Sequence, residues 1–492
     1  MSLDKARRVR KATHTRMLSL KPNVPKPSQS SVERAKLELH RRLGASKVLD
    51  AKESCERFAS DESEAEGEVP DVVILAETKQ DILDALAVAR ETEVPVTPRA
   101  GGSGRTGGAV PVAGGIVLSL SGMNQILEID PAEGLAVVEP GVVLGDFHAA
   151  VEAEGMFYPP DPNSLLACCL GGNVAENAGG PRAFKYGVTR DYVLGAEAFL
   201  IGGQHIQCGR LTRKGVTGYD VTGLLVGSEG TLAVLGDITL RLVPKPSHVM
   251  TLMVLLSELD VAAQLVARAT AMGLIPRCIE LLDSGTLEAM RNAGNPINAA
   301  AKAMLLIDVD GDERQCETQA ERLAGLADDL GAIELLVAQD ASQRDRLWNA
   351  RGEMSPAVRR MAKNKLSEDV VVPRQQMGEL LRRVARTSEE TGIRTVTYGH
   401  AGDGNLHVNF LWDEAEELPQ VDRAIEQLFR DVIELRGTLS GEHGIGVLKA
   451  PYLPLEQSSE LIRLQQDLKR MFDPAGLLNP GKIFPIQGHG AC

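Results

Sequence analysis

Two short stretches concentrate the side chains best suited to chemistry. The first is Tyr398-Gly-His400-Ala-Gly-Asp403-Gly-Asn405-Leu-His407-Val-Asn409, and the second is Ser440-Gly-Glu442-His443-Gly-Ile-Gly446. If the first is a pair of strands around a Gly-rich turn, the two-residue period puts His407 and Asn409 on one face. Leu406, Val408 and Phe410 then point to the other, and the turn brings His400 back toward His407. Two imidazoles and the carboxylate of Glu442 make a three-ligand set of the kind that holds a divalent metal with positions open for substrate. A lone strand histidine is ordinarily a satisfied core or turn residue. Three of nine histidines gathered in two Gly-rich turns fit that ordinary role poorly.

Glycine supplies the second pattern. Gly102-Ser103-Gly104-Arg105-Thr106-Gly107 satisfies G-x-G-x-x-G, but a dinucleotide fingerprint must open a helix, and here Gly108, Pro111, Gly114 and Gly115 lead into a strand. The loop therefore joins strand to strand. Its backbone, free of Cβ atoms, can still approach a diphosphate and turn successive N–H groups toward it; an ordinary glycine-rich turn is the alternative. Further small-residue segments at Gly171-Gly172-Asn173, Asn177, Gly179-Gly180 and Tyr186-Gly187 follow Pro159-Pro160-Asp161-Pro162, and Gly227 to Thr231 precedes a good strand. A large planar ligand would need such room.

These segments require a scaffold, and the apolar patterning supplies two α+β units. Helices are expected from Ser31 and over Asp81–Ala89, with strands at Pro70–Ala76, Val94–Thr97 and Gly115–Leu120 and a hairpin of Ile126–Ile129 with Leu135–Glu139. Strands at Val193–Ile201 and Leu232–Val243 lead to a boundary at Pro244-Lys-Pro246. Beyond it, strands are expected at Met250–Leu256, Ala303–Val309, Glu334–Val337, Arg394–Thr397 and Leu406–Leu411. Amphipathic helices are expected over Val261–Met272, Gln315–Leu330, Asp345–Ala362, Gln375–Glu390 and Leu418–Arg436. Residues 1 to 30 carry eight Lys and Arg against Asp4 alone and read as a solvated basic extension.

The length of 492 residues is about three times the usual domain size, so two or three domains are expected. Aromatics are only 3% of the chain and the net charge is −14, which argues against a nucleic-acid surface and for a small partner. Seven cysteines without a C-x-x-C pair suggest no zinc ribbon, iron–sulfur cluster or disulfide framework, and a reducing compartment. No apolar run is long enough to cross a bilayer, and Arg7-Arg8 is followed by a polar stretch instead of a signal-peptide apolar region, so a cytoplasmic location is expected.

The glycine segments closely resemble the FAD-binding domain of the vanillyl-alcohol oxidase superfamily. The resemblance runs through Pro98 to Pro111, Gly171 to Gly180 and Gly227 to Thr231 and covers nearly everything from about Val69 to Pro485. Within that superfamily it is greatest to the FAD-linked D-lactate dehydrogenase and glycolate oxidase catalytic subunits, with D-2-hydroxyglutarate dehydrogenase a cousin. It implies an α+β fold: a vanillyl-alcohol oxidase (PCMH)-type FAD-binding domain over 31–246, a second α+β cap domain with an antiparallel sheet over 247–455 that takes substrate and metal, and a tail over 456–492 returning to the first. The FAD diphosphate would lie against Arg99, Ala100, Gly101, Gly102, Ser103, Gly104, Thr106 and Gly107. Pro160, Asp161, Ser164, Gly171, Gly172, Asn177, Tyr186, Gly187, Gly230, Ile238 and Asn479 would line the rest. Some relatives tether the flavin through a histidine in the glycine loop; Ser103 stands there, so the FAD is expected to be non-covalent, with Cys168-Cys169 serving packing.

The same resemblance makes His400, His407 and Glu442 ligands of zinc, or of manganese or iron, His443 the base, and Arg351 the substrate-carboxylate residue. It implies oxidation of a small D-2-hydroxyacid to its 2-oxoacid, with electrons passed to a quinone, an electron-transferring flavoprotein, an iron–sulfur subunit or oxygen. The hydroxyglutarate enzymes hold the distal carboxylate with a lysine before a strand. Leu366-Ser367-Glu368-Asp369-Val370 has none, although Lys363 and Lys365 are near, so D-lactate or glycolate is expected over a dicarboxylate. A rival reading is an FAD transferase like alkylglycerone-phosphate synthase, without net redox; hydroxyacid bleaching of the flavin separates the two. A third is a subunit that mainly docks in an electron-transfer complex through the basic extension. A homodimer is left open.

Overall fold

The structure, a computed structural model, describes residues 24–484; most of the basic extension lies outside the described residues. Ser28 caps the first described helix, Gln29–Leu43, by accepting from the Ser31 N–H. In the N-terminal half, Val72–Leu75 and Ile116–Ser119 are continuous apolar runs suited to burial on both faces, and they pair in parallel. Val96–Arg99 lies parallel on the far side of Ile116–Ser119, and the chain between these two strands forms no helix. A second, antiparallel sheet follows, ordered Ile126–Asp130, Leu135–Val138, Val234–Arg241, Val193–Phe199, His205–Gly209.

The C-terminal half is built on one seven-stranded antiparallel sheet. Its order is Glu334–Val337, His248–Leu256, Ala303–Gly311, Cys278–Leu282, Arg394–His400, Asn405–Trp412, Asn364–Val371. One face carries Leu252, Val254, Ile279, Leu281, Leu305, Ile307, Leu406, Val408 and Phe410 into a core closed by the helices Leu259–Ala271, Glu313–Asp329, Met377–Thr391 and Leu418–Glu434. The opposite face carries Glu280, His400, His407 and Asp369 on four adjacent strands, with Glu280 opposite His400 and Asp369 opposite His407. The tail returns to the N-terminal half: Val96 donates to the Leu477 carbonyl and accepts from the Asn479 N–H.

Three elements differ from the patterning. Cys278–Leu282 is an unexpected central strand, buried at all five residues so that no alternation marks it. Asn364–Val371 is an unexpected edge strand whose Glu368 and Asp369 are buried, Glu368 beside Lys449 and Asp369 under the loop at Gly441 and His443. The helix expected over Asp345–Ala362 is two, Ala341–Gly352 and Met354–Arg359, because Pro356 has no N–H to continue the ladder and its ring crowds the preceding turn. Among the described residues no helix is long and apolar enough to cross a membrane.

The apolar face of the large sheet sets the cost of core mutations. Phe429 is fully buried against it, so Phe429→Ala should destabilise by about 3–5 kcal/mol. Leu464, 58% exposed on the helix Ser459–Phe472, should change stability by less than about 0.5 kcal/mol on conversion to alanine. Urea midpoints of the two variants check the contrast.

Candidate active site

His400 and His407 come together because their strands pair with Tyr398 opposite His407 and His400 opposite Asn405. Their rings stand 5.3 Å apart and perpendicular. The loop after Thr438 brings Glu442 to them: its Oε1 lies 3.5 Å from His400 Nε2 and 3.3 Å from His407 Nε2. One ligand atom from each of the three lies within 4.8 Å of the others, and among the described residues no other such group is found. His400 Nε2, His407 Nε2 and Glu442 Oε2 are buried without hydrogen-bond partners. Unsatisfied buried polar atoms are costly, and three of them converging as two nitrogens and an oxygen fit a divalent cation.

Glu280, which the sequence patterning passed over, ties this group to Arg351. Its Oε2 accepts from Arg351 Nε at 2.8 Å and Nη2 at 2.5 Å, while its Oε1 meets His400 Nδ1 at 2.5 Å. Burial alone would push the Glu280 carboxyl up, but the charges of His400 and Arg351 outweigh it and bring it down to about 2. The arginine expected to offer its fork to a substrate carboxylate has therefore spent two donors on Glu280, leaving Nη1 without a protein partner. The sequence around Glu280 carries no alternation to mark it; only its burial on this strand shows that the charge must be paired.

His443 Nε2 lies 3.5 Å from Glu442 Oε1, and its ring stacks on His407 at 5.4 Å. Burial pushes this imidazole down to about 4, even against the nearby Asp369 and Glu442 charges, so the ring is neutral near pH 7 and able to take a proton. Lys365, one residue before the lysine-free segment from Leu366 to Val370, lies beside the site. The two-residue period puts it on the same strand face as Ser367 and Asp369, and it lines the same cavity as Arg351, its Nζ 3.0 Å from Ser355 Oγ and 3.4 Å from the Tyr398 hydroxyl. The strand that carries this segment thus places one cation, Lys365, in the cavity wall.

The cavity has a volume of about 760 Å³ and runs between the two halves. Arg351, His407, Glu442 and His443 line one end. Arg99, Ala100, Gly101, Gly102, Ser103, Gly104, Ser164, Gly171, Gly172 and Gly230 line the rest. At Gly172 a Cβ would meet only Ala100 Cβ, at 3.8 Å, so any larger side chain there would project into the space a planar ligand needs. Cys168 and Cys169 also line it; burial pushes Cys168 up to about 12 and raises Cys169, so both are protonated thiols.

The other expected cofactor residues stand off this cavity and brace its walls. Thr106 Oγ1 donates to the His443 carbonyl, and its own carbonyl accepts from Val447 and Leu448; Gly107 packs against Val447. The Pro160 carbonyl meets His148 Nε2, and Asp161 pairs with Arg182 beside a separate cavity of about 470 Å³. Asn177 ends the helix Leu170–Glu176 at φ +53° and accepts from the Arg190 N–H. Tyr186 donates to Asp310, Gly187 closes the turn after it against Asp191, and Ile238 is buried in the sheet core. Asn479 donates to the carbonyls of Gly108 and Glu229, tying the tail to two cavity-lining segments. His400 itself stands behind His407 and Glu442, out of the cavity wall.

Removing the Glu280 carboxylate would leave the buried Arg351 charge uncompensated. Glu280→Ala should therefore cost about 3–5 kcal/mol of stability, read as a lowered urea midpoint; a change below about 0.5 kcal/mol would contradict the pairing.

Residues 70–209 match the family described as "FAD binding domain", and residues 245–483 match "FAD linked oxidases, C-terminal domain". The chain is 41% identical over 419 residues to the glycolate oxidase subunit GlcD of Bacillus subtilis (strain 168), covering 85% of this chain and 89% of that one. It is 33% identical over 459 residues to a D-lactate dehydrogenase of Anaerostipes hadrus, covering 91% and 96%. Among solved structures, p-cresol methylhydroxylase with substrate bound superposes with a TM-score of 0.79 at 16% identity, covering 95% of this chain and 100% of that one. Alkyldihydroxyacetonephosphate synthase superposes with a TM-score of 0.73 at 17% identity, covering 95% and 88%. These two share the fold, as the PCMH-type resemblance implied. With the FAD-binding segment forming one wall of the cavity and the oxidase segment the other, the chain belongs to the FAD-linked oxidases and is an FAD-dependent oxidoreductase.

Proposed function

We propose that this protein is an FAD- and divalent-metal-dependent D-2-hydroxyacid dehydrogenase. The observation that carries the reading is the convergence of three partnerless buried ligand atoms, from His400, His407 and Glu442, beside His443 and Arg351 at the end of a flavin-sized cavity. The names of the relatives, glycolate oxidase and D-lactate dehydrogenase, support a small hydroxyacid as substrate. When bound, FAD supplies a hydride acceptor and the divalent ion, zinc first among the candidates, acidifies the hydroxyl it coordinates.

Arg351 holds the substrate carboxylate through the three N–H groups that Glu280 leaves free, two on Nη1 and one on Nη2, and is kept rigid by Glu280. His443 takes the hydroxyl proton at Nε2, the ring atom nearer Glu442. The hydroxyacid loses two electrons and two protons to become the 2-oxoacid, and the electrons pass on to a separate acceptor. D-lactate or glycolate is the first substrate reading. Lys365 favours a second one: a hydroxyacid with a further anionic group, for which this cavity cation is a partner.

Gly172→Leu should fold with little bound FAD, whereas denaturing the wild type should release all its flavin into the supernatant, as a non-covalent cofactor must. Anaerobic titration of the metal-analysed protein with D-lactate, L-lactate, glycolate and D-2-hydroxyglutarate tests the reaction. Bleaching by a D-hydroxyacid or glycolate, lost after chelation and restored by metal, is expected; an unchanged spectrum with every acid would instead support transferase chemistry. His443→Ala should keep FAD and metal but slow flavin reduction by about 10²–10⁴-fold, while Glu442→Ala should lose metal.

A further inference from the structure

Glu442 and His443 sit on a loop without regular secondary structure, from Ser440 to Gly446, so their placement must come from outside the loop. Thr106 and Glu229 hold its far part: Thr106 Oγ1 donates to the His443 carbonyl, and the Glu229 carboxylate accepts from the N–H groups of Ile445 and Gly446, at 2.7 Å each. The near part has a different anchor. A single oxygen, Asp369 Oδ2, accepts from Ser440 Oγ at 3.0 Å and from the N–H groups of Gly441, Glu442 and His443 at 2.8, 2.9 and 3.1 Å. Its other oxygen accepts from Asn405 Nδ2 at 2.5 Å.

We propose that Asp369 is a positioning residue for the reaction, its carboxylate wrapped by three successive backbone N–H groups so that Glu442 and His443 are held at the mouth of the His400–His407 pair. This rests on the dehydrogenase reading for what the two side chains do, but the placement stands on geometry alone. Asp369 is fully buried on the edge strand, directly opposite His407 in the ladder. The loop is thereby registered to the same strand that carries one candidate ligand. Successive N–H groups turned toward one point form an anion nest, and here the anion belongs to the protein. The same Oδ2 lies 3.9 Å from His443 Nδ1, so it faces the ring as well as its backbone.

Two details show that the site demands a carboxylate close to the loop. Both Asp369 oxygens receive only donors, so an amide in its place would turn an NH₂ group toward either Asn405 Nδ2 or the backbone N–H groups. At Gly441 a Cβ would come within 2.5 Å of Asn405 Nδ2 and 2.7 Å of Val371 Cγ2, so only glycine lets the loop approach the sheet this closely. The Lys449 ammonium adds a strut from below, donating to the backbone carbonyls of Asp369 and Leu439.

The test uses the holoenzyme and its Asp369→Asn and Ser440→Ala variants, with amide hydrogen exchange, FAD content and single-turnover flavin reduction by the hydroxyacid that bleaches the wild type. In the wild type the amides of Gly441, Glu442 and His443 should exchange slowly. In Asp369→Asn they should exchange at least about tenfold faster, as loss of charge-assisted hydrogen bonds implies, with FAD content unchanged. The limiting rate of flavin reduction should fall by at least about tenfold while KM changes little, because Arg351 is braced independently by Glu280. Ser440→Ala, which keeps all three N–H donors, should stay near wild type in each readout. Unprotected amides in the wild type, or an Asp369→Asn enzyme with wild-type exchange and limiting rate, would overturn the proposal. Should Asp369→Asn not fold, the wild-type exchange rates decide. Failure of every hydroxyacid to reduce the wild-type flavin would defeat the dehydrogenase reading while leaving exchange to judge the role of Asp369.

Discussion

The buried carboxylate of Glu280 is the contact on which the rest of the site depends. It stands between a guanidinium and an imidazole, with 1% of its surface exposed, where an unpaired charge would be prohibitive. By accepting from Arg351 through Nε and Nη2 it fixes the plane of the arginine and limits what that side chain can offer a substrate. By engaging His400 Nδ1 it leaves Nε2 to point at Glu442 and His407. A histidine whose Nδ1 is held by a carboxylate presents its other nitrogen as a lone pair, which is how metal-binding imidazoles are commonly oriented. One side chain therefore fixes both the proposed substrate-binding arginine, Arg351, and one candidate metal ligand, His400.

That arrangement is possible because the large sheet has two different faces. Four helices cover one face and supply the main core, while the opposite face carries Glu280, His400, His407, Asp369 and Lys365 toward the FAD-binding half, beside a smaller apolar cluster packed by the helices Ser284–Asn292 and Met354–Arg359. Neither half completes the site. The loop bearing Glu442 and His443 is held by Asp369 from the sheet and by Thr106 and Glu229 from the other side. Glu229 adopts φ +52°, a backbone cost offset by its two bonds to the loop. Thr106 and Asn479, both expected near the flavin, also tie the two sides of the junction together: Thr106 to the loop at His443, and Asn479 to Gly108 and Glu229.

Much of the site was legible in the sequence because its residues sit on patterns with a physical meaning. Alternation placed His407 opposite Leu406 and Val408, the Gly-rich turn returned His400, and the strand-to-strand glycine loop was distinguished from a helix-opening fingerprint. Glu280 was not legible: Cys278–Leu282 is buried on both faces, so its strand shows no alternation and its one charge looks accidental. Asn364–Val371 was hidden by the reverse effect: Lys365, Ser367 and Asp369 give its inward face a polar pattern, because Lys365 and Ser367 line the cavity and Asp369 is buried under the loop from Ser440 to His443. Pro356 is visible in the sequence, but a proline in the first turn of a helix leaves the residues after it helical, so the short break before it reads as continuous helix. Sequence spacing also could not separate glycine-segment residues that line the cavity from those that brace it, because both need small side chains.

X-ray absorption spectroscopy of the purified protein tests the metal centre most directly. A near-stoichiometric divalent metal with two imidazole nitrogens and a carboxylate oxygen in its first shell, lost in Glu442→Ala, is the predicted result. A protein whose flavin is fully reduced by a hydroxyacid while no metal accompanies it, or whose metal is bound by sulfur, would contradict it.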